Sequence, residues 1–501
     1  SSRHLKLAPS AMAAAAPATV QFDGAPFVAE ASRVDRLQSS TPLWAVRTRT
    51  DWGHRPAPWR RGIVIRGALA LWALAARRSP RRRRVIVRRT AIAELSLEGA
   101  AAELGSLDRA KKLWRLLREG ANPFIEGPGH LGSEARARLL SLDLGILSEA
   151  LKPDAIETAV PLVATDLDSA RPDPTQVSPD FDLDLESVVR RRLGPGRGTA
   201  KLLLRLSDGL AVEFVLIPQV EATPERRQSL RRAGRNVDST TICVSSQVGC
   251  GQGCRFCKTA SMGMIRDLAP DEILAQVVQG RRLSMELGLP PVTNVVLMGM
   301  GEPLANTAGV LPAIDMLSDS MRLAIRRKKL VLSTVAPSPA QVRALAGSRC
   351  QLAWSLHCAD DALRRRLVPS ARFPVAELRE AFLDVLASRS PGPGRRLMIA
   401  VVLLRGVNDG RTHALELAEF LRPLAESDGV TVLLDLIPYN DAGDTGFDRP
   451  EPEAVLRFKE EVWAALPSLC VYVRHPRGAE SQAACGQLAT AAVRRRKIAL
   501  A

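Results

Sequence analysis

From about residue 240 onward, short apolar segments rich in β-forming residues alternate with amphipathic segments of helical period. A chain that alternates strand and helix in this way builds a parallel sheet with its helices packed outside. About six such units predict an α/β fold, a partial (β/α)6 barrel with fewer than the eight units of a closed barrel. The predicted strands are residues 295–298, 330–333, 352–356, 397–404, 430–437 and 470–474. The predicted helices include residues 271–287, 339–346, 375–387, 412–424 and 452–466.

Small and polar residues directly follow several of these strands. They are Gly-Met-Gly-Glu-Pro at 299–303, Ser-Thr at 333–334, Ser-Leu-His at 355–357 and Pro-Tyr-Asn at 438–440. Because parallel strands all end at one edge of the sheet, we expect these residues to lie together there. In barrels and open α/β sheets this edge carries the chemistry. The sequence therefore predicts a site built from these strand ends.

Three of the eight cysteines form a C-x3-C-x2-C pattern, Cys250, Cys254 and Cys257, in a glycine-rich loop after a strand-like segment at 241–244. Four disulfides are a weak alternative, because this long chain shows no secretory signal. A structural zinc site needs four ligands, so it would require a distant fourth residue. Three close thiolates suit a [4Fe–4S] cluster with one iron left open to a small molecule.

The other five cysteines are Cys243, Cys350, Cys358, Cys470 and Cys485. A free cysteine is most often a small buried packing residue. We interpret Cys350, Cys358 and Cys470 in this way, because they lie in or beside apolar segments. On residue type alone, the same interpretation applies to Cys243 and Cys485.

The length of 501 residues predicts two to four domains. Helical spacing upstream of the barrel is broken by Asn-Pro at 122–123 and by Gly-Pro-Gly at 127–129. An alternating segment around Ser-Asp-Gly at 207–209 predicts a β-hairpin with an Asp-Gly turn. The predicted organisation is a basic, disordered arm (1–90), a small helical domain expected to bind RNA (91–160), an acidic linker (161–195), a hairpin with an insertion (196–240), the barrel and a cysteine loop (241–490) and a basic tail (491–501).

Positive charge is concentrated at the amino terminus. Residues 1–90 hold 18 Lys or Arg against 4 Asp or Glu, so they supply +14 of the total net charge of +17. An acid-poor, Arg- and Ala-containing start is typical of an organelle transit peptide, and an arbitrary basic tail is the alternative. We therefore expect a soluble protein of a plastid or mitochondrial matrix if the source is eukaryotic, and of the cytoplasm otherwise. The most apolar stretch, residues 67–76, is too short to span a bilayer.

Five ordered motifs carry a family resemblance. They are Cys243-Val-Ser-Ser-Gln-Val-Gly-Cys250, Gly299-Met-Gly-Glu-Pro-Leu304, Ser355-Leu-His357, Gly406-Val-Asn-Asp-Gly410 and Ala483-Ala-Cys-Gly-Gln-Leu488. Together with the three-cysteine loop they resemble the RlmN/Cfr family of radical S-adenosylmethionine RNA methyltransferases over roughly residues 95–490. The resemblance implies a partial (β/α)6 radical-SAM barrel with a small helical domain before it, and an enzyme that methylates adenine carbon in RNA.

The resemblance also implies a chemistry for the two cysteines outside the cluster. Ring carbons of adenine are poor nucleophiles, so the family uses two S-adenosylmethionine molecules per turnover. One methylates Cys485, and the second, bound at the open iron, yields a radical that removes a hydrogen from that methyl group. The carbon radical adds to the adenine and forms a covalent adduct. Cys243 then attacks the sulfur of Cys485, which releases methylated RNA and leaves a transient disulfide for reduction.

By the same resemblance, other residues acquire roles. The implied S-adenosylmethionine contacts are Gly301, Glu302, Ser333, Ser355, Leu356, His357 and Asn440. Glu213 corresponds to a family glutamate suggested as the proton acceptor when the adduct collapses, with an exposed hairpin carboxylate as the alternative. For His357 the alternative is a strand-end histidine that only satisfies backbone groups.

The chain departs from the family pattern in places. Met264-Ile265, Val335-Ala336 and Ala400-Val401 stand where relatives commonly have an aromatic-Asn pair, Ser-Gly and Glu-Tyr. Residues 219–240 are longer than the family's loop. This insertion contains Arg226, Arg227, Arg231, Arg232 and Arg235, which form either a phosphate contact or a solvated face.

The sequence thus predicts a radical-SAM rRNA (adenine-C2-)-methyltransferase that acts on large-subunit ribosomal RNA, with transfer RNA as a further substrate. Methylation at adenine C8, and a non-catalytic Fe–S RNA-binding or ribosome assembly factor, are the alternatives. The expected partners are RNA and an electron donor such as flavodoxin or ferredoxin. We expect a monomer and no membrane association.

Overall fold

The structure is a computed structural model that describes residues 97–121, 123, 129–141, 156–157, 198–220, 223–233, 237–443, 445–475, 477 and 483–490. The predicted basic arm, acidic linker and basic tail lie outside the described residues. The boundaries proposed above for the domains stay predictions.

The strands contain mostly β-branched and apolar residues, as half-buried and buried strands require. They are β1 (Ile156–Glu157), β2 (Ala200–Arg205), β3 (Ala211–Gln219), β4 (Ser239–Cys243), β5 (Gln247–Gly249), β6 (Met264–Asp267), β7 (Val292–Leu297), β8 (Leu330–Thr334), β9 (Gln351–Ser355), β10 (Arg396–Leu403), β11 (Thr431–Pro438) and β12 (Cys470–Val473).

The α-helices of the described residues cover the sheet and precede it. They are α1 (Leu97–Leu104), α2 (Leu107–Glu119), α3 (Ser133–Ser141), α4 (Pro224–Arg232), α5 (Pro270–Glu286), α6 (Thr307–Ser318), α7 (Pro339–Arg343), α8 (Asp361–Leu367), α9 (Val375–Ser388), α10 (Arg411–Ala425) and α11 (Pro452–Ala465). Short 3-10 helices lie at Lys258–Met262, Pro303–Asn306, Arg327–Lys329 and Gly392–Arg395.

Ten strands form one sheet in the order β1-β2-β3-β4-β7-β8-β9-β10-β11-β12. Pairing is antiparallel from β1 to β4 and parallel from β4 to β12. Six helical crossovers connect the seven parallel strands, so the predicted partial (β/α)6 fold is confirmed, with β12 as a final strand. Since the strands run in the same direction, the polar residues after them lie at one end of the barrel.

Strands β10 and β11 are buried along most of their length. Strand β10 pairs with β11 in parallel from Arg396↔Thr431 to Leu403↔Pro438, and its last five residues are buried. A strand that is covered on both faces contains a continuous run of apolar residues. Such a run predicts burial, but it lacks the alternation of apolar and polar residues that would identify a strand. The Trp354 ring stacks on Phe382 with centroids 4.8 Å apart and meets Phe420 edge-on at 5.9 Å.

The predicted hairpin is present. Strand β2 pairs antiparallel with β3, and Gly209 in the turn has a φ of 79°, which favours glycine. Strand β3 then pairs antiparallel with β4, so the hairpin extends the barrel sheet. The insertion after it contains α4, in which no residue is buried.

The accessory helices pack on the barrel. In α2 the Ser106 hydroxyl accepts from the backbone N–H of Asp108 at 3.2 Å, and the helix ends at Gly120 with a φ of 76°. A Cβ at Gly120 would lie 2.8 Å from the backbone nitrogen of Arg282, so α2 and α5 meet in close contact at this point. Across the described residues, we find no helix with the length and apolar character needed to cross a membrane.

Candidate active site

The three-cysteine loop is closed at its base by a small separate sheet. Strand β5 pairs antiparallel with β6, and the N–H of Cys250 donates to the carbonyl of Gly263 at 3.0 Å. A Cβ at Gly249 would lie only 1.9 Å from that carbonyl oxygen, so this position needs glycine. On the far side, the N–H of Arg255 donates to the carbonyl of Leu367 at 3.0 Å. The loop is therefore held on both sides.

Burial raises the pKa of all three thiols of this loop. The pKa of Cys250 rises to about 12, and that of Cys254 rises well above its usual value. Burial is the main cause for Cys254, followed by the negative charges of Cys257, Cys250 and Glu302. Thiolates that repel one another in this way are stabilised by a positive group between them.

A [4Fe–4S] cluster fits these donors. Backbone N–H groups of Gln252 and Gly301 hydrogen-bond to the Cys250 sulfur and favour its thiolate. Among the described residues, no group of three or more His, Cys, Asp or Glu side chains is gathered to hold a single metal ion. The loop supplies three thiolates, the number that suits a [4Fe–4S] cluster with one iron left open.

A cavity of about 160 Å³ lies at the carboxyl ends of the parallel strands, beside Cys254 and Cys257. Six of the seven residues implied as S-adenosylmethionine contacts line it: Gly301, Glu302, Ser333, Ser355, His357 and Asn440. Leu356 does not, since it is fully buried and its N–H donates to the carbonyl of Ala400 at 3.1 Å. The side-chain oxygen of Asn440 is buried without a hydrogen-bond partner, as expected of a wall that a polar ligand covers.

Glu302 is held by backbone and hydroxyl groups around it. One carboxylate oxygen accepts from the N–H of Leu304 at 2.9 Å and from the Thr334 hydroxyl at 2.5 Å, and the other accepts from the N–H of Val335 at 2.9 Å. Burial nevertheless raises the pKa of this carboxyl. The second oxygen has acceptor capacity left, which suits a carboxylate that receives an ammonium group.

His357 lies deep in the wall of this cavity. Its φ of 63° is in the left-handed region, and its ring meets Phe256 edge-on with centroids 4.8 Å apart. Burial, followed by the positive charge of Arg364, lowers its pKa to about 3. The side chain is therefore neutral at physiological pH and acts as a polar surface without charge.

Arg364 is buried, although no sequence pattern indicates this. It donates to the carbonyl of Leu356 at 3.1 Å and to that of Val335 at 2.5 Å, so it joins the ends of β9 and β8. Its place in α8, among three consecutive arginines, gives no sign of burial.

Cys243 and Cys485 line one larger cavity of about 460 Å³. This cavity and the smaller one share several wall residues, among them Cys257, Asn440 and Cys485. Burial, followed by the negative charge of Cys485, raises the pKa of Cys243 to about 12. The structure thus brings together the two cysteines outside the cluster loop and places Cys485 between the two cavities.

The segment with Cys485 is tied to the cluster loop. The N–H of Lys258 donates to the carbonyl of Gly486 at 2.7 Å, and the Thr259 hydroxyl donates to that of Leu488 at 2.6 Å. The Gln487 amide donates to the carbonyl of Asp441 at 2.6 Å and accepts from the N–H of Ala484 at 3.0 Å.

Arg474, directly after β12, contacts Cys485. Its guanidinium donates to the Cys485 sulfur at 3.3 Å and also to the carboxylate of Asp435 on β11. Burial lowers the pKa of Arg474, but the negative charges of Cys485 and Asp435 more than offset this. The sequence pattern assigns no role to Arg474, although its position at the end of a predicted parallel strand is a signal for this site.

Glu213 is buried in β3 and is not among the described residues that line the two cavities. Its carboxylate forms an ion pair with Lys201 at 3.2 Å and accepts from the N–H of Ala489 at 2.9 Å. It is not the exposed hairpin carboxylate of the alternative interpretation, and it fixes the far end of the Cys485 segment.

The three remaining cysteines differ in their exposure to solvent. Cys350 and Cys358 are buried as predicted, whereas Cys470 is exposed and the packing prediction for it is wrong. Cys470 begins β12, the last strand in the sheet order, so one of its sides has no neighbouring strand among the described residues.

Curated relatives identify the family, although no family model matches the chain. The chain is 37% identical over 310 residues to the dual-specificity RNA methyltransferase RlmN of Anaeromyxobacter dehalogenans, which covers 61% of this chain and 75% of that protein. The dual-specificity RNA methyltransferase RlmN of Syntrophobacter fumaroxidans is 36% identical over 315 residues. The match covers 62% of this chain and 82% of that protein.

The chain belongs to the RlmN family. A solved radical SAM methyltransferase from Sphaerobacter thermophilus superposes with a TM-score of 0.59 and 29% identity, covering 79% of this chain and 98% of that one. The predicted enzyme class, a radical-SAM methyltransferase, is therefore confirmed. RlmN membership implies S-adenosylmethionine and a [4Fe–4S] cluster as cofactors.

Proposed function

We propose that this RlmN-family enzyme methylates C2 of adenosine in large-subunit ribosomal RNA and in transfer RNA, with Cys485 as the methyl carrier and Cys243 as the resolving thiol. The observation that carries the proposal is the position of Cys485, in the wall shared by the two cavities, with Cys243 lining the larger one. Similarity to relatives named as dual-specificity RNA methyltransferases supports the substrate class.

Each group of residues has a part in this scheme. Cys250, Cys254 and Cys257 would hold the cluster, which supplies the electron for radical chemistry when it is bound. Glu302 would accept a hydrogen bond from the methionine ammonium group of S-adenosylmethionine, and Gly301, Ser333, Ser355, His357 and Asn440 would line the rest of its site. The smaller cavity would thus place the cofactor next to Cys485.

The larger cavity would receive the adenine. Its volume of about 460 Å³ and its walls from Cys243, Thr241, Val296 and Met398 form a mostly apolar space that suits a flat base. An adenosine buried there has to leave its base stack, as in enzymes that act on a base atom. Arg474 would hold the Cys485 sulfur at the entrance to this space.

Resolution of the adduct would rest on Cys243. After losing its proton, the buried Cys243 sulfur would attack the sulfur of Cys485 and form the disulfide bond as the bond from Cys485 to the methylene group breaks. The electron pair of the broken bond would stay with the methylene carbon, which gains a proton and becomes the methyl group. Glu213 is proposed as the proton acceptor, and this role would require its carboxylate to leave Lys201.

Nucleoside mass spectrometry tests the position of the methyl group. RNA treated with the reconstituted enzyme, S-adenosylmethionine and a reductant is digested and compared with untreated RNA. The proposal predicts 2-methyladenosine in both RNA classes. 8-Methyladenosine as the sole product would assign the C8 activity instead, and a Cys485→Ala enzyme serves as the inactive control.

Other properties stay predictions. A donor such as flavodoxin or ferredoxin would supply the electron, and the enzyme would act as a monomer. A reporter fused to residues 1–90 tests the proposed organelle targeting, with import of the fusion expected and a diffuse cytosolic signal against it.

A further inference from the structure

A separate cavity of about 500 Å³ lies where the parallel strands begin. Ser239, the first residue of β4, and Val292, the first residue of β7, line it. Cys243, which lines the proposed adenine cavity, is the last residue of β4. At about 3.3 Å per residue, some 13 Å of strand separates the two ends of β4. The two cavities therefore lie toward opposite ends of the barrel.

Positive side chains dominate this second region. Six cationic residues line it, from α2, α4, α5 and the loop before β8: Arg118, Arg226, Arg281, Arg326, Lys328 and Lys329. Of the described residues that line it, none carries a carboxylate. Positive side chains that line one cavity repel one another, so an anion bound between them is stabilised.

Two of the arginines are fixed as part of the cavity wall. Arg118 donates to the carbonyls of Arg322 at 3.0 Å and Met321 at 3.1 Å. Arg281 donates through Nη2 to the carbonyl of Leu323 at 3.0 Å, while its Nη1 is buried with no hydrogen-bond partner. Burial and the charge of Arg118 lower the pKa of Arg281 to about 10. A guanidinium with a buried unsatisfied N–H is suited to receive an acceptor oxygen.

We propose that this cavity binds phosphate groups of the RNA backbone, distant from the adenosine that enters the catalytic cavity. The inference rests on the proposed function in taking RNA as the substrate. Arginine forks match phosphate oxygens in pairs, and the insertion helix α4 contributes one of them, Arg226.

This assignment gives the insertion a purpose. From the sequence alone, the arginines of the insertion form either a phosphate contact or a solvated face. In the structure, Arg226 lines the basic cavity, while Arg227 forms an ion pair with Asp238 at 2.7 Å. Arg235 lies outside the described residues. The insertion thus joins the accessory helix α2 and the loop before β8 around one binding surface.

Salt-dependent RNA binding by the full-length holoenzyme tests the proposal. The test variant is Arg326→Gln with Lys328→Gln, two exposed side chains that line the cavity. The matched control is Arg457→Gln with Lys459→Gln on α11, which removes the same charge elsewhere. Fluorescence anisotropy of a labelled, unmodified transfer RNA transcript gives the dissociation constant at several salt concentrations.

The proposal predicts a roughly tenfold weaker affinity for the test variant at physiological salt, and a slope of log K against log salt that is shallower by about 1.5 to 2. The control should keep the wild-type slope. An unchanged slope in the test variant would overturn the proposal. If that variant instead loses only its binding of inorganic tripolyphosphate, the cavity takes a small anion and RNA is excluded.

Methylation measured in parallel separates this inference from the proposed function. Absence of 2-methyladenosine with wild-type enzyme would count against the function, whatever the binding data show. Wild-type methylation combined with an unchanged slope in the variant would reject only the phosphate site.

Discussion

At the scale of single residues, Arg474 connects a buried carboxylate to the thiol that we propose as the methyl carrier. Its guanidinium donates to the Cys485 sulfur at 3.3 Å and to Asp435. A side chain with one donor group directed to each partner can hold a sulfur at a fixed place in a cavity wall. We therefore regard Arg474 as a positioning residue for Cys485.

Arg474→Gln should lower the kcat of RNA methylation roughly tenfold, because the charge-assisted contact to Cys485 is lost. The KM for S-adenosylmethionine should change less, although Arg474 also lines the cavity proposed for it. The kcat of Arg474→Lys should lie between those of the wild type and of Arg474→Gln. Lysine keeps the positive charge but lacks the planar group that donates to both partners. A loss confined to melting temperature, with a wild-type kcat, would show that Arg474 is only structural.

Ala336 is a second residue with a local consequence. Its φ of 58° is in the left-handed region, where a side chain costs about 1–2 kcal/mol. This explains why glycine is common at the matching family position. Ala336→Gly should raise the free energy of unfolding by about 1 kcal/mol, after the greater freedom of glycine in the unfolded chain is counted. Chemical denaturation measures this, and a lower stability would contradict the account.

At the scale of elements, the segment 483–490 depends on hydrogen bonds to three others: the cluster loop, the loop after β11 and strand β3. It has no regular secondary structure, so side chains such as Gln487 must fix it. Each buried polar group left unpaired costs about 1–3 kcal/mol, so these bonds keep the segment in one place.

Gln487→Leu should loosen this segment, because the carbonyl of Asp441 and the N–H of Ala484 both lose their partner. We expect the rate of RNA methylation to fall at least tenfold, while iron content and S-adenosylmethionine binding stay at wild-type levels. A full methylation rate would show that the amide does not position Cys485. Gln351→Leu, at the first residue of β9, is a control of the same type, since Gln351 lines neither of the two cavities.

The elements also show what sequence patterns can and cannot predict. Strands β8 to β12 and the cysteine loop are evident from local patterns, because apolar runs and fixed spacing are local properties. The sequence pattern does not predict helix α6, since Gly309 and Pro312 interrupt the helical spacing of its apolar residues. The contact of Arg474 with Cys485, and the ion pair of Glu213 with Lys201, join residues distant in the chain, and periodicity contains no information about such pairs.

At the scale of the whole molecule, most of the net positive charge and the residues assigned to catalysis lie in different parts of the sequence. Residues 1–90 hold +14 of the net charge of +17, whereas the residues that we assign to catalysis all lie between 213 and 485. Overall basicity therefore gives little evidence for RNA binding at the barrel. Local groups such as the six cations that line the cavity beside Arg281, Arg281 included, have to provide it.

A protein without residues 1–90 should consequently retain RNA methylation and most of its RNA affinity. Methylation per enzyme and anisotropy at physiological salt, compared with the full chain, measure this. A loss of activity in a truncated protein that still holds its cluster would show that the amino-terminal arm takes part in the reaction.

The central claim is that Cys485 carries the methyl group and Cys243 resolves the adduct. The most direct test is a Cys243→Ala enzyme incubated with RNA, S-adenosylmethionine and reductant, followed by denaturing gel electrophoresis and peptide mass spectrometry. Our account predicts a covalent RNA–protein species linked through Cys485, which is absent from a Cys243→Ala, Cys485→Ala double variant. Methylated RNA released at the wild-type rate, with no crosslinked species, would contradict it.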